Sequence, residues 1–164
     1  FMAAGAVITM IFIVYSSFVF KKQQSDRFEK NARMSTDLLT KAHPYISNTD
    51  SLTLGELEGK DVIVLFWATW SEKSALMMDQ LELILSSEPD VTVVGALVKD
   101  ATDTAEPVLS DHPFLYIDGT VLFNDLKVPG IPSLLILDTK GKVITTHIGY
   151  QEDIRESILD ILRK

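Results

Sequence analysis

The sequence predicts an α/β protein, a mixed β-sheet with helices on both faces, preceded by one apolar N-terminal helix. Three observations carry this. Asp61 to Trp67 is an apolar run with the length of a buried strand, followed at once by a helix-like stretch and a second β-branched run. Ser133 to Asp138 and Val143 to Ile148 flank Thr139-Lys140-Gly141-Lys142, which has the composition of a hairpin turn. Strand–helix–strand, then a hairpin and a last helix, gives a mixed sheet covered on both sides.

Phe1 to Phe20 holds no charged side chain and consists mostly of Ala, Val, Ile, Met and Phe. At 1.5 Å per helical residue it spans roughly 30 Å, the thickness of a hydrocarbon core. Lys21-Lys22 ends it abruptly, as at a headgroup interface. Ser16-Ser17-Phe18-Val19-Phe20 is a poor cleavage site for a signal peptide, so residues 1–20 are read as a single-pass transmembrane helix in contact with the bilayer. The chain begins with Phe rather than Met, which leaves room for upstream residues. Lys21 and Lys22 alone favour a cytoplasmic side for the body of the chain, and upstream charges would override them.

Residues 21–44 are expected to form a helical, solvated stalk, with Phe28, Ala32, Leu38 and Leu39 at loosely helical spacing and a break at His43-Pro44. The remaining domain is 45–164. Tyr45 to Leu54 has the punctuation of a short hairpin, and Gly55 to Lys60 that of a single turn. Glu72 to Ser87 is a helix with Leu76, Leu81, Ile84 and Leu85 facing inward, and Val91 to Val98 a strand. Thr102 to Asp111, interrupted by Pro107, makes at best a short irregular helix. Phe114 to Ile117 is a minor strand that turns at Asp118-Gly119. Gln151 to Arg163 is an amphipathic helix that turns Ile154, Ile158 and Ile161 or Leu162 inward, with Glu152 and Asp153 at its positive end.

Charge narrows the function classes. The chain has 15 basic and 23 acidic residues, and residues 41–164 alone carry a net −10. Such a body suits neither nucleic acid nor anionic headgroups. His43, His112 and His147 are scattered singly, and adjacent Met77 and Met78 point to different faces of a helix, at least one of them as core filler. No metal or cofactor ligand set is visible.

Several motifs stand in register: Ser51 to Lys60, Phe66-Trp67-Ala68-Thr69-Trp70, Gly130-Ile131-Pro132-Ser133 and Leu137 to Lys142. Together they resemble membrane-anchored thioredoxin-like proteins, above all the extracytoplasmic disulfide reductases of cytochrome c maturation. The resemblance spans roughly residues 45–164. It implies a thioredoxin-like sheet, an extracytoplasmic (periplasmic) domain, a cis-proline at Pro132, and a groove in which the backbone at Ile131 pairs with an extended partner segment. It also implies a redox pair at Ser71 and Ser74, where this chain has serine, and the chain contains no cysteine at all. Thiol–disulfide exchange needs a thiolate as nucleophile and leaving group.

The neighbourhood of the pair departs too. Lys73 stands where relatives carry proline, Met77 and Asp79 where the reductase pattern has glutamate and proline, and Leu65 where thioredoxins proper have a buried aspartate. That drift favours natural loss of redox function. Ser71 lacks a base in the predicted layout and reads as a helix N-cap, not a nucleophile. Trp67 reads as core. Trp70 reads either as an exposed contact residue of the groove or as a lid over Pro132. Small residues in the apolar helix (Ala3 to Ala6, Ser16, Ser17) leave room for a second helix without proving one.

The expected function is therefore a redox-inactive, membrane-tethered module that binds or braces a partner, as an accessory subunit of a membrane complex, with Trp70, Ile131 and Pro132 as its groove. The alternative is a thiol–disulfide oxidoreductase seen in a Cys-to-Ser inactive form. A third possibility, a chaperone for extended clients, predicts broad weak peptide binding.

Overall fold

The computed structural model describes residues 2–164; Phe1, the first residue of the expected membrane span, lies outside the described residues. The chain opens with one uninterrupted helix, α1 (Met2–Met34). A small hairpin comes next, β1 (Ala42–Pro44) and β2 (Ser51–Thr53), and then a single 3-10 turn at Leu54–Leu57. The body continues as β3 (Asp61–Trp67), α2 (Glu72–Ser87), β4 (Val91–Leu97), α3 (Thr102–Ala105) and β5 (Leu115–Asp118). It closes with α4 (Thr120–Leu126), β6 (Ser133–Leu137), β7 (Val143–Ile148) and α5 (Ile154–Leu162).

Five strands form a mixed sheet in the order β5-β4-β3-β6-β7, with β3 parallel to β4 and antiparallel to β6. The continuous apolar reading of β3 has a direct cause: both its faces are covered. Val62, Val64 and Phe66 enter one core with residues of α1 and α4, while Ile63, Leu65 and Trp67 enter another beneath α2 and α5. Phe66 is wedged edge-on between Phe28 of α1 (6.1 Å) and Phe123 of α4 (5.9 Å). On the other face Trp67 meets Tyr116 at 5.6 Å, and Gly95 makes room for the pair, since a Cβ there would stand 2.7 Å from the Tyr116 ring.

The structure differs from expectation in four places. The residues read as a solvated stalk split into two kinds. Phe28 and Ala32 are buried in the domain core, as is Leu38 beyond the end of α1, so this stretch is a layer of the fold and not a free linker. Arg33 fixes it by donating to the Val143 carbonyl (2.7 Å) and the Ile144 carbonyl (2.6 Å), which caps the edge strand β7 with a charge instead of another strand. The hairpin expected at 45–54 begins earlier, because His43 pairs with Leu52 and the proline ends β1.

Helix α4 had no counterpart among the elements expected from the sequence; its buried face is only Leu122, Phe123 and Leu126. Finally, Leu76 of α2 points to solvent, whereas Met77 and Met78 are both buried. The phase of α2 is set by its cap at Ser71, which puts Ser74, Met77, Met78, Leu81 and Ile84 on the inner face.

The first half of α1 makes a different kind of surface. From Gly5 it is long and apolar enough to cross a membrane, and none of that apolar stretch is buried in the domain. Ile11, Phe12, Tyr15 and Phe18 are each more than 60% exposed, an area that water does not tolerate on a single helix. A signal sequence has the same signature.

Candidate functional site

The expected site residues come from two loops at one end of the sheet. Phe66 is the register partner of Ser133, which in turn faces Ile148. The loop leaving β3 (Ala68 to Ser71) and the one entering β6 (Pro129 to Pro132) therefore adjoin.

Ser71 and Ser74, the positions at which the resemblance expects thiols, have unlike surroundings. Ser71 is the N-cap of α2: its Oγ accepts the Ser74 amide at 3.1 Å, with extended backbone geometry suited to that role. Ser74 is 1% exposed, and its hydroxyl has no hydrogen-bond partner among the described residues. A buried, unpaired hydroxyl is costly, whereas a thiol in the same place behaves as a small apolar group.

Trp70 is 63% exposed, and its indole N–H donates to the Lys99 carbonyl at 3.1 Å. The ring is thus hung on the loop after β4, not folded away. Asp100 holds the same loop from the other side. Its carboxylate accepts the Thr69 amide (2.7 Å), the Thr69 hydroxyl (2.5 Å) and the Ala101 amide (2.9 Å). Partial burial pushes this carboxyl up, but the Thr69 and Ala101 bonds outweigh it and leave it below the ordinary carboxylate range. Neither Lys99 nor Asp100 was singled out in the sequence. The clamp joins residues 31 apart, and nothing in a local pattern announces it.

On the opposing loop, Pro132 is buried, Ile131 is half-buried, and the peptide between them is cis. Ser133 donates its hydroxyl to the Gly130 carbonyl at 2.7 Å, and the Pro132 carbonyl accepts the Gly149 amide at 2.8 Å. The Ile131 amide and carbonyl make no backbone hydrogen bond among the described residues. Ile131 is therefore a stretch of main chain with its pairing groups unused.

The histidines serve elsewhere. His112 bridges to Glu82 at 2.8 Å and stacks on Phe114, tying α2 to the strand beside it. Burial pushes both His43 and His147 below the ordinary imidazole range. Among the described residues no three His, Asp or Glu side chains converge as a metal site.

No protein-family model matches the chain. A thioredoxin-like protein of Bacillus subtilis (strain 168), YneN, is 27% identical over 104 residues, which is 59% of this chain and 61% of that protein. Among solved structures, a secreted Mycobacterium tuberculosis disulfide oxidoreductase homologous to E. coli DsbE superposes with a TM-score of 0.66. It is 16% identical and covers 79% of this chain and 98% of its own. The structure of MTB dsbF gives 0.67 at 18% identity, with the same coverage. A secreted thiol-disulfide isomerase from Corynebacterium glutamicum gives 0.63 at 18%, covering 74% and 80%. The fold is thus the thioredoxin-like fold of the thiol–disulfide oxidoreductases, carried here by a chain without cysteine.

Proposed function

We propose that this chain is a redox-inactive thioredoxin-like module that α1 tethers to a membrane, where it binds or braces a partner protein as an accessory subunit of a membrane complex. One observation carries the reading: the fold is whole, and the two positions that would exchange electrons hold a capping hydroxyl and a buried hydroxyl. An alcohol has far too high a pKa to serve as nucleophile or leaving group in disulfide exchange. What this end of the sheet offers a partner is exposed Trp70 and the unused main-chain groups of Ile131, next to the buried Pro132. Backbone pairing needs no sulfur, and a tether raises the local concentration of the groove at a membrane partner.

The domain is extracytoplasmic in this reading, as suits a fold whose compared structures include secreted proteins. Protease protection on intact cells and on spheroplasts tests the side.

The central test is recovery of a stoichiometric partner from detergent extract with the native chain and with Trp70→Ala plus Ile131→Asp. Loss of the partner in the variant supports the groove; unchanged recovery moves the contact to α1. Insulin or a cytochrome precursor turned over by the native polypeptide would sink the redox-inactive reading.

A second reading, an oxidoreductase with both cysteines replaced by serine, draws on the unpaired Ser74 hydroxyl, which sits where a thiol is better accommodated. Cysteine codons at positions 71 and 74 of the source gene would establish it. Against it stand Lys73, Met77 and Asp79, neighbours that a two-residue replacement would have left untouched.

A further inference from the structure

We propose that the end of the sheet bearing Trp70 and Ile131 faces the bilayer at headgroup level, so that the backbone received there is the juxtamembrane segment of a membrane-embedded chain. The orientation rests on α1 crossing the membrane, and the identity of the occupant rests on the groove reading above.

The direction of α1 against the sheet is decisive. The helix is continuous from Met2 to Met34, so its apolar half and its packed half share one axis. At its C-terminal end Arg33 binds the carbonyls of Val143 and Ile144, where β7 begins. Further back, Phe18, Lys21, Lys22 and Asp26 enclose a cavity of about 550 Å³ with Pro129 and the segment Thr146 to Gly149, where β7 ends. The helix thus runs antiparallel to β7, and its apolar half leaves the domain past the C-terminal end of that strand.

That end is the site end. Ile148, Ser133 and Phe66 form one row across β7, β6 and β3. Strand β3 is antiparallel to β6, as β7 is, so both advance in the same direction. Beyond the row, β3 ends at Trp67 and the chain runs on through the loop to Trp70, toward the side on which the apolar half of α1 departs. Lys21 and Lys22 close the uncharged run and mark headgroup level. From Lys22 to Asp26, the last helical residue at the cavity, the axial distance is about 6 Å at 1.5 Å per residue. The loop with Ile131 and Pro132, whose Pro132 carbonyl is bonded to Gly149, therefore lies within about one helical turn of the surface.

The side chains agree with this orientation. The exposed indole of Trp70 is of the kind that settles at a membrane–water interface. At the opposite end of the sheet Asp61 stands close enough to Asp138 and to Asp90 to feel the charge of each. A groove held at headgroup height by a rigid helix meets the first residues of a chain emerging from the bilayer before it meets a soluble protein.

The absence of cysteine makes the test clean. Single cysteines introduced as Gln151→Cys, two residues past Gly149, or Lys140→Cys, in the β6–β7 turn, each take one fluorophore on an exposed position of the full chain in lipid nanodiscs. The two sites are separated along β7 by about 20 Å at 3.3 Å per residue. With quenchers on the lipid headgroups, the label at 151 should lose most of its emission and the label at 140 little. Equal quenching, or stronger quenching at 140, overturns the orientation even if Trp70→Ala plus Ile131→Asp still abolishes partner recovery. A chain that does not enter nanodiscs overturns it as well. If 151 is quenched but a photo-crosslinker at position 131 captures only soluble proteins, the orientation holds and the membrane-embedded occupant is refuted.

Discussion

The two serines should answer the same substitution with opposite signs. Ser71→Ala removes the oxygen that accepts the Ser74 amide at the start of α2. An N-cap of this kind contributes about 1 kcal/mol, within a range of about 0.5–2. Ser74→Ala instead removes a hydroxyl that is buried and has no partner among the described residues. Relieving a buried unpaired polar group returns about 1–3 kcal/mol. Alanine's helix propensity adds up to about 0.5 kcal/mol. The void left by one oxygen, on the order of 10 Å³, subtracts only about 0.2 kcal/mol at the cavity cost of roughly 24 cal/mol per Å³.

Ser71→Ala should therefore lower the stability of the full chain in detergent by about 1 kcal/mol, and Ser74→Ala should raise it by about 1–3. In Tm each kcal/mol corresponds to about 2–4 °C for a chain of this size. Urea unfolding followed by the emission of buried Trp67 resolves a gap of this width. If the two variants shift the midpoint in the same direction, the assignment fails. A loss at Ser74→Ala would mean that its hydroxyl has a partner, a bound water for instance, and is an established part of the core.

Two further outcomes rest on the packing. Phe28→Ala should cost about 3–5 kcal/mol in the same urea measurement, as for a fully buried aromatic; a change within about 0.5 kcal/mol, typical of surface sites, would return residues 21–34 to the role of a solvated stalk. Asp100 should couple the Thr69–Trp70 loop to pH. Its carboxyl is depressed when folded, so its stabilisation is complete above about pH 4 and is lost as pH falls through the folded value. The native chain should then lose more stability between pH 6 and pH 3 than Asp100→Asn does; equal losses would show that the clamp on Thr69 carries no charge-dependent energy.

The range of each interaction decides whether the sequence discloses it. Strands β3 and β6 were legible because both faces are covered and every residue shows it. The cap at Ser71 was legible because its partner is three residues away. Helix α4 was not, because a buried face of Leu122, Phe123 and Leu126 is shorter than one period of any reliable pattern. The burial of Phe28 was hidden because its partner, Phe66, is on a distant strand and the residues around it are polar. The inner face of α2 was misjudged at Leu76 since one residue of phase, fixed by the cap, decides between core and solvent. At the site, the positions were readable from motifs, but the contrast between a bonded Ser71 and an unbonded Ser74 emerges only in three dimensions.

That contrast bears on what the two positions require of a side chain. A half-buried, capping position accepts serine without loss, because the helix needs an acceptor there whatever the reaction. A buried position has no such use for an oxygen, and the hydroxyl at 74 is a standing cost. The surrounding loops are firmly held: Asp100 fastens Thr69, the Lys99 carbonyl holds the Trp70 indole, and Ser133 braces the turn before β6. None of these bonds involves position 71 or 74, and each fixes the shape of the two loops that carry Trp70 and Ile131. Under the proposed partner-binding function, these three clamps hold Trp70 and Ile131 in place for a contact whatever side chain stands at position 74.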